Sequence, residues 1–238
     1  MKPGAGDQVF CVECCQLRVG EAEWPFACEN AAPIDRHWQR ATLDNPDFFD
    51  GVILMTSNVA VKDGVLSATL FKTRFRNYLY WRHQGFAGSG ITDGFGSGLI
   101  RSADGAIVLV RQGSGNVNAG IYYTPSGFID PRDIDDNGYV DIAANITREI
   151  EEETGLTPAE LARRPGYIVA ATGAQLAMAV VFDCELSAPE LELRINTFLA
   201  NEERPELAEI RLVKSLADTA GLELARHTAL QLQKVFAA

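Results

Sequence analysis

The sequence predicts an α/β protein in which a mixed sheet is covered by helices on both faces, and three observations predict it. Apolar, β-prone runs recur along the chain, among them residues 52–61, 65–70, 167–172 and 207–213. Helix-like segments interleave with these runs, the order that builds a sheet covered on two sides. The best-defined helix, residues 141–154, repeats Ala143, Ile146 and Ile150 at helical spacing and stops at Gly155.

In chain order, residues 8–20 read as a strand, followed by a polar, Pro-containing connection to about Pro33. Residues 34–43 read as a short helix that ends near Asn45-Pro46, because a residue before proline is turned away from the α region. Residues 52–61 and 65–70 read as a hairpin joined through Lys62-Asp63-Gly64. Residues 75–83 read as a helix. The stretch 85–98 is dense in glycine and reads as a loop or linker. It divides an N-terminal α+β extension, residues 1–90, from a main domain, residues 91–238, with the extension packed on the core rather than independent. The main domain opens with a hairpin turning at Asp104-Gly105 and continues through a β-prone segment at 120–124 and an acidic insert. After the helix at 141–154 come strands at 167–172 and 176–186, a helix at 188–200, a strand at 207–213 and a terminal helix at 222–236. The chain contains no internal repeat.

The 238 residues carry a formal charge of −11. A surface of that sign repels nucleic-acid backbones and anionic membranes, so neither is an expected partner. A phosphorylated ligand then requires local basic groups or bound cations. No apolar run reaches membrane-spanning length, and residues 1–7 lack the apolar core of a secretion signal, so the cytoplasm is the expected compartment. Cysteines stand at 11, 14, 15, 28 and 184, an odd number that argues against a disulfide framework. Cys11-x-x-Cys14, with Cys28 and His37, is half of a zinc pattern. No second pair follows, and residues 11–19 read instead as a strand whose cysteines are small buried side chains.

The chemistry concentrates in residues 148–156. On a helix, Glu149, Glu152 and Glu153 fall within an arc of about 100° beside the Ala143, Ile146 and Ile150 seam, while Glu151 points elsewhere. Carboxylates crowded beside a buried seam raise one another's pKa or recruit a cation. Hard divalent ions with oxygen ligands answer that need, and Mg2+ keeps waters that can meet phosphates. Arg148 precedes Glu152 by one turn, the weaker order for a helix pair, so it reads as an orienter of a carboxylate.

A bare Glu-Glu-Glu run is more often a solvated acidic face. This run is not bare, because residues 148–156 fill every specified position of Arg-Glu-[aliphatic]-x-Glu-Glu-x-Gly-[aliphatic]. The segment resembles the Nudix box, and the order of elements in residues 97–236 is compatible with that family. The resemblance implies a Nudix-type α/β/α sandwich that hydrolyses a nucleoside diphosphate linked to another group X. It implies Mg2+ or Mn2+ held by Glu149, Glu152 and Glu153 with the backbone carbonyl of Gly127. It also implies Glu152 or Glu153 as base for the attacking water, with Arg148 completing the catalytic set. In that scheme the cations neutralise the pyrophosphate and lower the pKa of bound water.

The upstream half of the pattern departs. Counting back from Arg148 puts Ile134 at the box glycine and Val140 at its first glutamate. Gly127 is then the equivalent glycine, with seven residues inserted before the helix. A non-catalytic nucleotide-binding module on the same fold is the competing reading. The insert itself has Asp133, Asp135, Asn137 and Asp141 at positions 1, 3, 5 and 9 and Gly138 at position 6, which resembles the start of a Ca2+-binding loop. Position 12 is Ala144 where a bidentate glutamate is expected, and a polar turn with Asp141 capping the helix is the alternative.

Lys72, Arg74, Arg76, Arg82 and His83 cluster among Phe75, Tyr78, Tyr80 and Trp81. They either pair with the protein's own acids or recognise phosphate. Arg74 and Arg111 are the substrate-binding candidates, Arg111 because it directly follows the strand at 107–110. Trp38, Asn45-Pro46-x-Phe48-Phe49-Asp50 and Thr73-x-Phe75-x-x-Tyr78 are loosely similar to the extension of the UDP-glucose pyrophosphatase branch of that family. The expected substrate is therefore a nucleotide sugar such as UDP-glucose, giving UMP and a sugar 1-phosphate, with ADP-ribose or another ADP-linked compound as the alternative. The oligomeric state stays open, a homodimer being compatible.

Overall fold

The computed structural model describes residues 6–88, 90–113 and 117–237. The N-terminal stretch read above for a secretion signal falls largely outside them. The chain begins with β1 (Gln8–Val12) and β2 (Cys14–Val19), then α1 (Pro25–Glu29) and α2 (Ala31–Asp44), which stops before Pro46. Strands β3 (Val52–Lys62) and β4 (Val65–Arg74) form the expected hairpin, with Asp63 and Gly64 both at positive φ in its turn. Then follow α3 (Phe75–His83), β5 (Ile91–Arg101), β6 (Ile107–Gln112), and the short β7 (Tyr122–Tyr123) and β8 (Ser126–Phe128). The remainder is α4 (Ile142–Thr154), β9 (Leu161–Arg163), β10 (Tyr167–Thr172), β11 (Gln175–Cys184), α5 (Ala188–Asn201), β12 (Leu207–Val213) and α6 (Arg226–Phe236).

The fold is a mixed α/β one. The strands run in the order β1-β10-β11-β5-β3-β4-β2, with β8 also on β5, β6 leading from β5 to β7 and β12, and β9 on β11. The β11–β5 and β2–β4 pairs are parallel and the others antiparallel. Residues 8–20 form two strands rather than the single one expected. The break at Glu13 lets β1 pair with β10 while β2 pairs with β4, so consecutive strands close opposite ends of a curled sheet. Closure leaves fewer open edges to pair with another chain.

The glycine-dense stretch 85–98 is corrected by the structure: from Ile91 onward it is β5, a central strand paired with β11 and β3. Local propensity argues against a strand there, and packing overrides it. A Cβ on Gly96 would lie 2.5 Å from Ile146, and one on Gly98 2.5 Å from Ile150. The alternate glycines are therefore the surface onto which α4 packs. Ile146 and Ile150 are fully buried there, in one core with Ile100, Met178 and Val180, each burial contributing roughly 1.5–3 kcal/mol. On the opposite face of the same strands, α6 brings Leu232 against Leu99 and Ala179, and Leu230 against Phe95.

Two smaller differences follow from pairing. The terminal helix starts at Arg226 and not at 222, because Leu224 bridges to Tyr122 in an extended conformation. The cysteines near the N-terminus are not a buried row: Cys11 is exposed and Cys14 and Cys15 are half-buried, while Cys184 is buried in the core. Burial pushes the Cys15 thiol up to about 12. No described helix is long and apolar enough to cross a membrane.

Candidate functional site

Helix α4 is fixed at both ends by its own sequence. Asp141 caps its start by accepting from the N–H groups of Ala143 (3.1 Å) and Ala144 (3.0 Å). Gly155 ends it in the left-handed conformation, φ 70°. The apolar stripe faces β5, and this sets where the glutamates go.

Glu149 lies against Gly127 on β8, so closely that a Cβ at residue 127 would overlap the carboxylate. Gly127 itself pairs with Gly96 across the β8–β5 ladder, so two bare residues make the cradle. Glu153 is buried and accepts from the Ser126 N–H (3.2 Å) and the Tyr123 hydroxyl (3.3 Å). Glu152 is about half exposed and turns to the surface, where it meets Arg148 at 3.4 Å and Arg132 at 3.7 Å. Glu151 is exposed. The structure thus brings Glu149 and Glu153 together at one cavity and leaves Glu152 beside it.

Arg148 is held from several sides. It donates to Glu149 at 2.6 Å and to Asp133 at 3.0 and 3.3 Å. Asp133 is buried and also accepts from Asn145 Nδ2 (2.9 Å) and the Asp130 N–H (2.9 Å). The insert therefore places a carboxylate behind Arg148, at a site where Val140 contributes none.

Two further insert carboxylates are also engaged within the chain. Asp135 accepts from the N–H groups of Asn137 and Tyr139, closing a turn, and Asp141 is the helix cap. Asp133, Asp135 and Asp141 thus point to three separate tasks, which fits the polar-turn alternative and gives the Ca2+-loop reading no support.

Burial pushes the Glu149 carboxyl up to about 7, against the opposing pull of Arg148 and helped by the charge of Glu152. Burial drives Glu153 well above the carboxylate range, and the charges of Glu206 and Glu149 add to it. A half-buried and a buried carboxylate, both raised by burial, are a fit for a hard divalent cation. Among the described residues no three His, Cys, Asp or Glu side chains are gathered to hold a metal ion alone. A site here would draw on Glu149, Glu153, the Gly127 cradle and oxygens of a ligand, as Mg2+ sites with one or two carboxylates do.

These groups open onto a cavity of about 940 Å3. Its walls include Phe75, Tyr78, Phe95 and Phe128, the cations Arg82, Arg132 and Arg226, and the polar side chains of Asp93, Gln175 and His227. Arg74 and Arg111 are not among the lining residues. Arg74 pairs with Asp50 at 3.1 Å, and Arg111 with Glu209 at 2.6 Å while lying 5.5 Å over the Tyr122 ring. Tyr123, Arg132, Asp93 and His227 escaped the sequence reading. Each belongs to a different segment, and nothing local marks their convergence.

No family model matches the chain, and no curated protein matches it. Among solved structures it is similar to a Nudix hydrolase from M. smegmatis, RenU, at 19% identity and a TM-score of 0.42, covering 62% of this chain and 87% of that one. It is similar to a MutT protein from Methanosarcina mazei Go1 at 20% identity and a TM-score of 0.42, covering 60% and 92%. It is also similar to a bifunctional NMN adenylyltransferase/ADP ribose pyrophosphatase from Francisella tularensis at 16% identity and a TM-score of 0.46, covering 67% and 45%.

Proposed function

We propose that this chain is a Nudix-type pyrophosphohydrolase, dependent on Mg2+ or Mn2+, acting on a nucleoside diphosphate linked to a second group. The observation that carries the reading is the pair of half-buried Glu149 and buried Glu153, on one stripe of α4 beside the Gly127 cradle and opening onto a large cavity. The motif in residues 148–156 supports it, since it specifies the residues that arrive there.

The residue roles follow from contacts. Glu149, Glu153 and the Gly127 carbonyl would hold the cation, which when bound neutralises phosphate charge and acidifies water. Arg148 fixes the Glu149 carboxylate, and Asp133 fixes Arg148. Glu153, oriented by Ser126 and Tyr123, is the carboxylate in the cavity wall best situated to accept a proton from water; Glu152 stays in reserve at the surface. Arg132, at the rim and paired with Asp130 at 2.7 Å, supplies a cation for phosphate oxygens. A nucleotide sugar such as UDP-glucose is the proposed substrate, and an ADP-linked compound such as ADP-ribose its competitor.

A chromatographic screen of UDP-, ADP-, GDP- and CDP-linked substrates with Mg2+, identifying both products, tests this directly. The expected result is a nucleoside monophosphate and a phosphorylated X group. Ligand-dependent thermal stabilisation with no product after long incubation would replace hydrolysis with binding alone.

A further inference from the structure

His227 is 6 % exposed, stands in the cavity wall, and neither of its ring nitrogens has a hydrogen-bond partner among the described residues. Buried polar atoms are rarely left so, and a histidine with both nitrogens open is a request for a ligand. Its ring meets Phe95 edge-on at 5.0 Å. Burial lowers its pKa to about 4, so near neutral pH it carries one donor and one acceptor and no charge.

Its neighbours are of the same kind. Asp93, on the same face of β5 as Phe95, is buried and lines the same wall, accepting from the Tyr78 hydroxyl at 3.0 Å and Gln175 Nε2 at 3.4 Å. Helix α6 begins at Arg226 with Ala225 before it, and no side chain caps its first turn. The N–H groups of that turn are donors without a side-chain acceptor. Aromatic wall residues, a neutral imidazole and spare N–H donors, with Arg226 and Arg82 among the lining residues, suit a flat ring with electron-rich carbonyl oxygens on its edge. Phosphates belong with the cation-binding carboxylates, which are carried by α4 and not by α6.

We propose that the wall formed by His227, Phe95 and the start of α6 binds the nucleobase of the substrate, with His227 and the start of α6 selecting a base that carries a ring carbonyl. Uracil, cytosine and guanine have one; adenine has none. The proposal rests on the nucleotide-hydrolase reading and names the part of its substrate that the carboxylates do not contact.

The test is calorimetry with uridine, cytidine, guanosine and adenosine, without metal, on the full chain and on His227→Leu. The expected result is carbonyl-bearing nucleosides binding about tenfold or more tightly than adenosine, as when a site's buried polar groups are left unmatched. In His227→Leu that preference should shrink to about threefold or less, within the range of apolar contacts alone. Asp93→Asn, read the same way, serves if His227→Leu does not fold. Adenosine binding as tightly as the others, a preference untouched in the variant, or no binding of any of the four nucleosides would overturn the proposal. Base selection without cleavage of nucleotide sugars would sink the hydrolase reading alone; cleavage without base selection would sink the subsite alone.

Discussion

Strand β5 presents different faces to the two layers it separates. On one, Gly94, Gly96 and Gly98 carry no side chains: Thr56 fills the space over the first, and α4 settles onto the other two. On the other, Asp93, Phe95 and Ser97 carry side chains, each with a partner in Tyr78, His227 or Thr124, and the first two line the cavity. The bare face determines how close the carboxylate helix comes, and the furnished face contributes side chains to the cavity lining. Placement of the carboxylates thus depends on missing atoms, and the lining of the cavity on present ones.

The comparison is broken most severely by adding one methyl group at Gly127. The substitution Gly127→Ala drives a Cβ into the Glu149 carboxylate, and turnover should fall by about 10²-fold, since small misplacements at reacting groups have that effect. Next comes Gly98→Ala, which forces Ile150 off its seat and should cost about 1–3 kcal/mol by denaturant unfolding. Ser97→Ala, one residue away on the furnished face, removes one hydroxyl from the pair with Thr124 and should cost only about 1 kcal/mol. If the two variants were equally stable, the two-face account would fail. Asp133→Asn loosens Arg148 behind Glu149 and should lower kcat about tenfold with KM little changed, as loss of a ligand-orienting partner does.

The smallest effects are in pH dependence. The Asp93 carboxyl, ordinarily near 3.8, is raised by burial to about 6, so the folded state keeps a proton the unfolded chain has lost. Its contribution to stability is full below pH 3.8 and is lost as pH rises through about 6. His227, ordinarily near 6.5, is lowered by burial to about 4, so its contribution is full above 6.5 and is lost as pH falls through about 4. Relative to the parent, Asp93→Asn should therefore gain stability with rising pH between these values, and His227→Leu should lose it. Each slope is at most about 1.4 kcal/mol per pH unit. Melting temperatures across that window check the opposite signs; parallel curves would contradict them.

Helix α4 was legible in the sequence because its code is local. Asp141 starts it, Ile146 and Ile150 mark its buried stripe, and Gly155 stops it; the structure completes the stripe with Ile142 and leaves Ala143, the third residue expected there, half-buried. Strand β5 was not, since glycine lowers local strand preference and earns its place only against Ile146 and Ile150, some fifty residues away in sequence. The alternation of Gly94, Gly96 and Gly98 at a period of two was the readable signal. Arg74 stands out in the sequence within a basic cluster and Arg111 just after a strand, but their partners Asp50 and Glu209 lie too far along the chain for spacing to reveal. The insert was legible as acidic, while the service of Asp133 to Arg148 required the fold.

The most direct test compares steady-state product formation by the parent protein, Glu149→Gln, Glu153→Gln and Glu151→Gln, with Mg2+ and a nucleotide sugar, products identified by 31P NMR. The account predicts that the first two variants lose about 10²–10⁴-fold in turnover, the scale of a lost acid–base or metal-bound group, while keeping their melting transitions. Glu151→Gln, altering an exposed side chain on the same helix, should stay within about twofold of the parent. Turnover in Glu149→Gln and Glu153→Gln at the parent's rate, or an equal loss in Glu151→Gln, would contradict the assignment of the chemistry to the pair Glu149 and Glu153.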